Sequence, residues 1–357
     1  MGDFEEYIKA GEPNRRERAQ AWQTAIGLQD VDGLKVSPYL IETARRHIEN
    51  DITIDEAGQL IKSYYEREDG RRQGADTEEA DIVSGRISKI LLENGFHFSS
   101  LEYLHIHKRL FEGLLKNAGK IRTYNISKKE WVLDGQSVVY GNSEMLRANL
   151  EYDFEQEKAF SYARLSVEES LVHLAKFISD VWQNHVFSEG NTRTTAVFLI
   201  KYLRSFGFKV NNDLFKEKSA YFRDALVRAN FNDFTQGIKA DMGFLLKFMR
   251  NLILKENNEL KDREMHIRYA APSPQSLHKE TQSIVSKYQN DTLKLSMIDL
   301  AILDCIKNNP KITQAAISEE IGKSAATVKR ATASLVERGI LIRKNGKRDG
   351  WWEIAPL

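Results

Sequence analysis

The chain has 357 residues, more than one ordinary core accommodates and about right for two or three modules of roughly 100–200 residues each. Its composition, 41% hydrophobic and 29% charged, excludes collagen-like and wholly disordered chains, and 52 Lys/Arg against 51 Asp/Glu exclude a protein basic along its whole length. A single cysteine, Cys305, excludes an internal disulfide framework and a four-cysteine zinc site. No stretch reaches the roughly eighteen uninterrupted apolar residues of a membrane span, and the N-terminus has no apolar signal core, so a soluble cytoplasmic protein without membrane contact is expected.

Helical periodicity dominates from the start. Leu40, Ile41, Ala44 and Ile48 form one apolar stripe, and Ala57, Leu60, Ile61 and Tyr64 repeat the pattern after an acidic first turn at Asp55. Residues 66–79 are charged and glycine-spotted, which predicts an exposed loop. A longer helix is expected from Ala80, with Ile82, Val83, Ile87, Ile90 and Leu91 on its buried face. Between 101 and 254 the pattern stays helical with one exception. Residues 131–140, WVLDGQSVVY, hold two short β-prone runs around Asp134-Gly135, a dipeptide favoured in two-residue hairpin turns. Residues 255–292 are polar with a Pro-Ser-Pro centre and read as a linker. The last segment, 293–357, reads as a separate compact module.

The most informative stretch runs from Trp182 to Phe198. An apolar helix ends near His185, a short loop follows, and a new helix begins near Thr192. Gly190 and Asn191 tolerate backbone geometries that turn successive N–H groups toward one point, and the helix start adds free N–H groups and a positive dipole end. Together they make a pocket suited to phosphate, with Arg193 able to hold oxygens bidentately. Glu189 is a carboxylate of the kind that holds Mg²⁺ together with waters and substrate phosphates. His185 is the group here whose ordinary pKa suits proton abstraction near neutrality. Each part alone has an ordinary explanation as a cap, loop or solvated charge; their combination within nine residues is much rarer.

His185-Val-Phe187-Ser-Glu189-Gly190-Asn191-Thr192-Arg193 resembles the Fic family signature His-x-Phe-x-(Asp/Glu)-Gly-Asn-Gly-Arg-x-x-Arg. Residues 101–122 are similar to the family's opening helix, 131–140 to its substrate-binding flap, and 220–233 to the helix that closes over adenine. The fold this implies is mainly α: a Fic-type helical core with a β-hairpin flap at 95–254. The implied activity is transfer of AMP from ATP to a Tyr, Thr or Ser hydroxyl of a target protein. His185 would then be the general base and Phe187 a core anchor. Glu189 would hold Mg²⁺, Gly190, Asn191 and Thr192 would form the anion pocket, and Arg193 would meet a phosphate. Asn230 and a ring from Tyr221 or Phe222 would contact adenine. Val132, Leu133, Gly135, Gln136, Ser137 and Val138 would pin the target segment by strand addition. Two residues depart from the pattern: Thr192 replaces the second glycine, and Ala196 stands where the second arginine grips the γ-phosphate. A different phosphorylated donor, or a nucleotide-sensing DNA-binding regulator with weak or no transfer, are therefore alternatives.

Residues 27–61 resemble the small antitoxin domains that inhibit many Fic proteins. Asp32-Gly33 occupies the place of the inhibitory Glu-Gly, although Leu28 stands where Ser or Thr is expected and the usual partner is Ala196. A regulatory helical region at 1–94 is expected, with a plain docking domain as the alternative. In the C-terminal module, Thr313 and Ser324 are placed to cap two helices, with Gly322 and Gly339 to end them and two strands to follow. That order resembles the winged helix-turn-helix family, an α+β domain. DNA would meet Thr327, Lys329 and Arg330 on the recognition helix and Lys344, Lys347 and Arg348 in the wing. From Leu293 onward eleven basic residues face seven acidic ones, so this module is near +4 and the remainder near −3 within a total of +1. DNA contact is weighed against a winged helix used for protein docking, and a homodimer is left open.

Overall fold

The computed structural model describes residues 4–208, 210, 213–269, 297–338, 340–344 and 350–355. Helices α1 to α7 span Glu5–Ala10, Pro13–Gly27, Pro38–Glu49, Ile54–Tyr65, Glu68–Arg71, Ala75–Leu92 and Ser100–Phe111. Helices α8 to α12 span Leu146–Ala159, Val167–Asn184, Asn191–Ser205, Asp213–Ala229 and Gly243–Leu254. The C-terminal elements are α13 (Met297–Asn308), α14 (Gln314–Glu320), α15 (Ala325–Glu337), β1 (Leu341–Lys344) and β2 (Trp351–Ile354). The mainly α fold class is what the periodicity predicts. Contacts divide the chain into two compact units.

The first unit comprises Met1–Lys158, Ala175–Lys201 and Asn211–Ile267. The N-terminal helices and the helices after residue 95 therefore share one unit, without a break near residue 94. The expected stripe is realised in α3, where Leu40, Ala44 and Ile48 pack with Trp22, Ile61 and Tyr65. Ser37 caps α3 through the Leu40 N–H, and Thr53 with Glu56 forms a capping box on α4. Beneath them lies a buried polar knot, in which Asp81 accepts hydrogen bonds from the Ser37 N–H and hydroxyl and from the Tyr65 hydroxyl. Residues 66–79 are more ordered than their charge predicts. They form α5 and the start of α6, whose first turn carries Asp76 and Glu78, acids that favour a helix N-terminus.

Gly27, at the end of α2, lies against the backbone of α11; any Cβ there would collide with Lys216, and Ser219 donates to the Gly27 carbonyl at 2.6 Å. From this anchor a 3-10 turn, Leu28–Asp32, ends at Gly33 in the left-handed conformation (φ 71°), a geometry that favours glycine. The turn so placed delivers Asp32 to the site described below.

The strand pair expected at 131–140 does not form. Trp131–Leu133 is a 3-10 turn, and the reversal is closed by the Glu130 N–H on the Gln136 carbonyl at 3.0 Å and the Gly135 N–H on the Glu130 carbonyl at 2.9 Å. The Asp134-Gly135 turn itself is present, with positive φ at both residues (54° and 82°), as a two-residue reversal of that type requires. Its flanks depart from a ladder because their apolar side chains turn inward: Val132, Leu133 and Val138 are buried in the chain's own core. Residues 255–267, read as linker, are also held on this unit. Arg250 pairs with Glu256, and the Ile267 N–H reaches the Val132 carbonyl at 2.8 Å. The rest of the expected linker, 270–292, lies outside the described residues.

The second unit comprises Ala159–Leu174, Tyr202–Val210 and the described residues after Arg268. Here β1 and β2 pair antiparallel, Leu341 opposite Ile354 and Lys344 opposite Trp351. Thr313 and Ser324 cap α14 and α15 as expected, and Gly322 is left-handed after α14. Ile302, Ile306, Ile317, Val328, Leu335 and Leu341 form its core. Gly207 (φ 91°) seats directly on Ile321, and Lys323 lies over the Phe206 ring.

One titration is built into the first unit. Trp22 Nε1 donates to His47 Nδ1 at 3.0 Å, and burial pushes His47 down from 6.5 to about 4. The folded state holds this imidazole neutral while the unfolded chain protonates it. Stability is therefore full above about pH 6.5 and falls as pH drops toward 4, by up to about 3 kcal/mol. Urea unfolding between pH 7 and pH 4 is expected to show this loss, and His47→Gln, which keeps an acceptor for Trp22, is expected to flatten it.

Candidate active site

The expected signature loop joins α9 to α10. Phe187 is fully buried, stacked on His107 at 3.6 Å between ring centres and on Tyr103 at 5.6 Å. Asn191 clamps the loop on itself: its Oδ1 accepts from the Phe187 N–H at 3.0 Å and its Nδ2 donates to the Phe187 carbonyl at 2.8 Å. Gly190 has φ 71°, and an added Cβ would collide with the Phe111 ring. At the start of α10 the first-turn amides have no acceptor within the helix, the general condition for an anion to be held at a helix N-terminus.

His185 sits at the end of α9 with a left-handed backbone (φ 48°), costly for a non-glycine residue. Arg122 holds it there. Its Nε donates to the His185 carbonyl at 2.8 Å, and the remaining guanidinium nitrogens reach the carbonyls of Tyr124, Gly141 and Asn184. On the side chain, Nδ1 lies 3.2 Å from the Trp182 carbonyl. A carbonyl only accepts, so Nδ1 carries the proton and Nε2 keeps its lone pair. Nε2 is buried without a hydrogen-bond partner among the described residues. Burial holds His185 well below the ordinary imidazole value, and the charges of Lys128, Arg122 and Arg223 add to this.

A second histidine fixes the loop from behind. His107 Nδ1 accepts from the Gly119 N–H at 2.8 Å, so its Nε2 is the protonated nitrogen and donates to the Glu189 carbonyl at 3.0 Å. The Glu189 side chain itself is exposed and makes no ion pair among the described residues. No group of three or more metal-ligating side chains occurs among those residues. A single free carboxylate beside an anion loop fits Mg²⁺, which keeps most of its waters and takes its other oxygens from phosphates.

Arg193 points away from solvent, where the expected phosphate ligand would be open to it. Its side chain is 3% exposed: Nε lies 2.8 Å from Asp32 Oδ2, Nη2 2.7 Å from Glu79 Oε1, and Nη1 donates to Gln29 Oε1 at 3.0 Å. The guanidinium also lies over the Phe111 ring at 4.8 Å. Asp32 thus pairs with the signature's first arginine, while Ala196 is fully buried in the core. Thr192 also has a task, since Trp182 Nε1 donates to its hydroxyl at 2.9 Å. The space left among Asp32, Lys128, His185, Gly190, Thr192 and Arg223 is about 30 Å³, room for little more than water.

The residues expected at adenine are engaged within the chain. Tyr221 and Phe222 are buried against Phe248, with the Tyr221 hydroxyl on the Phe244 carbonyl, and Asn230 Nδ2 is committed to Ser179 Oγ at 2.8 Å and the Leu226 carbonyl. Of the six flap residues, Val132, Leu133 and Val138 are buried; Gly135, Gln136 and Ser137 stay accessible, and Val139 is 82% exposed. Residues that sequence reasoning passed over include Gln29, Glu79, His107, Arg122, Lys128, Glu130 and Arg223. Most are ordinary charges on helices or loops, and no local signal distinguishes them.

In the second unit, Lys329 and Arg330 are exposed on α15, while Thr327 is half-buried and shares the Ser324 cap at 2.9 Å. Lys344 pairs with Glu353 at 3.4 Å across the strands. Lys347, Arg348 and Gly339 lie outside the described residues. No helix among the described residues is long and apolar enough to cross a membrane.

Residues 97–203 match the model of the Fic/DOC family, and residues 295–342 match that of the winged helix-turn-helix DNA-binding family. Among solved structures, the chain is similar to a Fic family protein from Desulfovibrio desulfuricans G20, with 12% identity and a TM-score of 0.36 over 98% of this chain and 90% of that one. No curated protein matches the chain. With the signature loop, its clamp and the capped three-helix tail all in place, the chain carries a Fic/DOC family domain at 97–203 and a winged helix-turn-helix domain at 295–342.

Proposed function

We propose that the protein is a protein adenylyltransferase that moves AMP from ATP to a Tyr, Thr or Ser hydroxyl of a target protein, and that its N-terminal region holds it inactive. The observation that carries the catalytic part is His185: a neutral imidazole with Nδ1 tied to the Trp182 carbonyl and an unpartnered Nε2 beside an anion loop. Nε2 is suited to take the proton of an incoming hydroxyl. The hydroxyl oxygen then bonds to the α-phosphorus, the bond from that phosphorus to the bridging oxygen breaks, and pyrophosphate leaves. The amides at the start of α10 stabilise charge on the phosphate oxygens. Mg²⁺ held by Glu189 would supply further charge neutralisation when bound. The exposed edge at Val139 is suited to receive the target segment.

Inhibition is supported by Arg193, whose guanidinium is occupied by two carboxylates and an amide from the N-terminal region. Asp32→Ala keeps Trp22 and Gly27 in the packed unit, whereas deletion of 1–94 would strip them from it. Wild type, Asp32→Ala and His185→Ala, each incubated with α-labelled ATP and Mg²⁺, separate the possibilities. Asp32→Ala is expected to raise self-labelling at least tenfold, and the double variant with His185→Ala to abolish it. Labelling unaffected by His185→Ala would refute the transferase reading. Because His185 is held neutral, the acid limb of the labelling rate is expected to lie below the ordinary imidazole value of about 6.5. A limb at or above it would contradict that role.

For the tail we propose DNA contact through α15, supported by the exposed Lys329 and Arg330 and the family match. The paired variant Lys329→Ala/Arg330→Ala is expected to weaken duplex binding and to reduce its salt slope by about 2. Unchanged affinity and slope in a fluorescence-anisotropy titration would favour a protein-docking role.

A further inference from the structure

The loss of the second signature arginine leaves a chemical gap. A nucleoside triphosphate brings several negative charges to the loop, and Ala196 can offset none of them. The cavity wall shows what stands there instead. Lys128, on the segment leading into the 131–140 loop, lines the cavity together with the anion-loop residues Gly190, Asn191 and Thr192. It makes no ion pair within 4.0 Å among the described residues, although Asp32, Glu130 and Glu189 all lie close enough to act on its charge. It is also the strongest of the charged neighbours acting on His185.

Asp32 shows where an anion sits. One carboxylate oxygen is 2.8 Å from Arg193 Nε, and the same carboxylate is the first of the charges acting on Lys128. This carboxylate pairs with the guanidinium and lies near enough to the ammonium to act on its charge, a setting suited to phosphate oxygens as well. Arg223 is less available, since it is already paired with the buried Glu130, which also accepts from the Tyr140 hydroxyl. Lys128 alone among the cavity's cations has no committed partner.

We propose that Lys128 is a phosphate ligand of this site, binding the polyphosphate of the nucleotide in the position that Asp32 vacates and supplying the cation that Ala196 does not. The role rests on the transferase reading only for the identity of the donor. A flexible ammonium there binds as a point charge, without the planar fork of an arginine, so it follows phosphate oxygens in more than one pose.

The test uses the full chain carrying Asp32→Ala, which opens the site, and measures dissociation constants for ATP, AMP and inorganic tripolyphosphate by calorimetry. Adding Lys128→Met, which keeps the apolar stem, is expected to weaken ATP and tripolyphosphate about tenfold or more and AMP less than twofold. Lys128→Arg is expected to recover most of the loss, and matching thermal unfolding midpoints would show that Lys128→Met folds. Equal loss for AMP and ATP, no loss for tripolyphosphate, or no tripolyphosphate binding at all would overturn the proposal. If the open protein binds tripolyphosphate and not ATP, the adenylyltransferase reading fails while Lys128 is still judged on tripolyphosphate.

Discussion

The arrangement of this site depends on one buried guanidinium. Arg193 is nearly removed from water, and a buried cation is tolerable only with anionic or hydrogen-bonding partners close by. Asp32, Glu79 and Gln29 meet that need from two different N-terminal elements, and Phe111 covers the remaining face. Withdrawing these groups with nothing in their place would leave an uncompensated buried charge.

The acid of the N-terminal region accordingly meets a different residue of the loop. In the pattern the sequence resembles, the acid would meet the second arginine; here that position is the buried Ala196, and the shorter Asp32 meets the first. The displacement works because Gly27 sets the preceding turn directly on the α11 backbone and Gly33 ends it sharply. A side chain one methylene shorter than glutamate can reach Arg193 only from a turn placed that closely.

Much of this was legible in the sequence. The caps at Thr313 and Ser324, the stripe on α3, the reversal at Asp134-Gly135 and the loop from His185 to Arg193 are local signals with local causes, and each is found where its residues stand. What stayed hidden depends on partners far along the chain. Glu79 looks like one more acid in a charged stretch until α6 brings it to Arg193, 114 residues away. Val132 and Val138 carry strand-like propensity, yet burial in the surrounding core outweighs it, as is common where packing and intrinsic preference compete. Tyr221 and Phe222 fit a ring-stacking role by position, and the Phe248 side of α12 claims them instead.

Arg122 gives the site a mechanical property as well as an architectural one. A single planar group fastens the ends of the 124–141 segment to the carbonyl of a strained His185. The peptide that would receive a target and the residue that would activate its hydroxyl therefore share one bolt. The Tyr140 ring, its centre 4.2 Å from that of the His185 imidazole, is a second link between the same two parts.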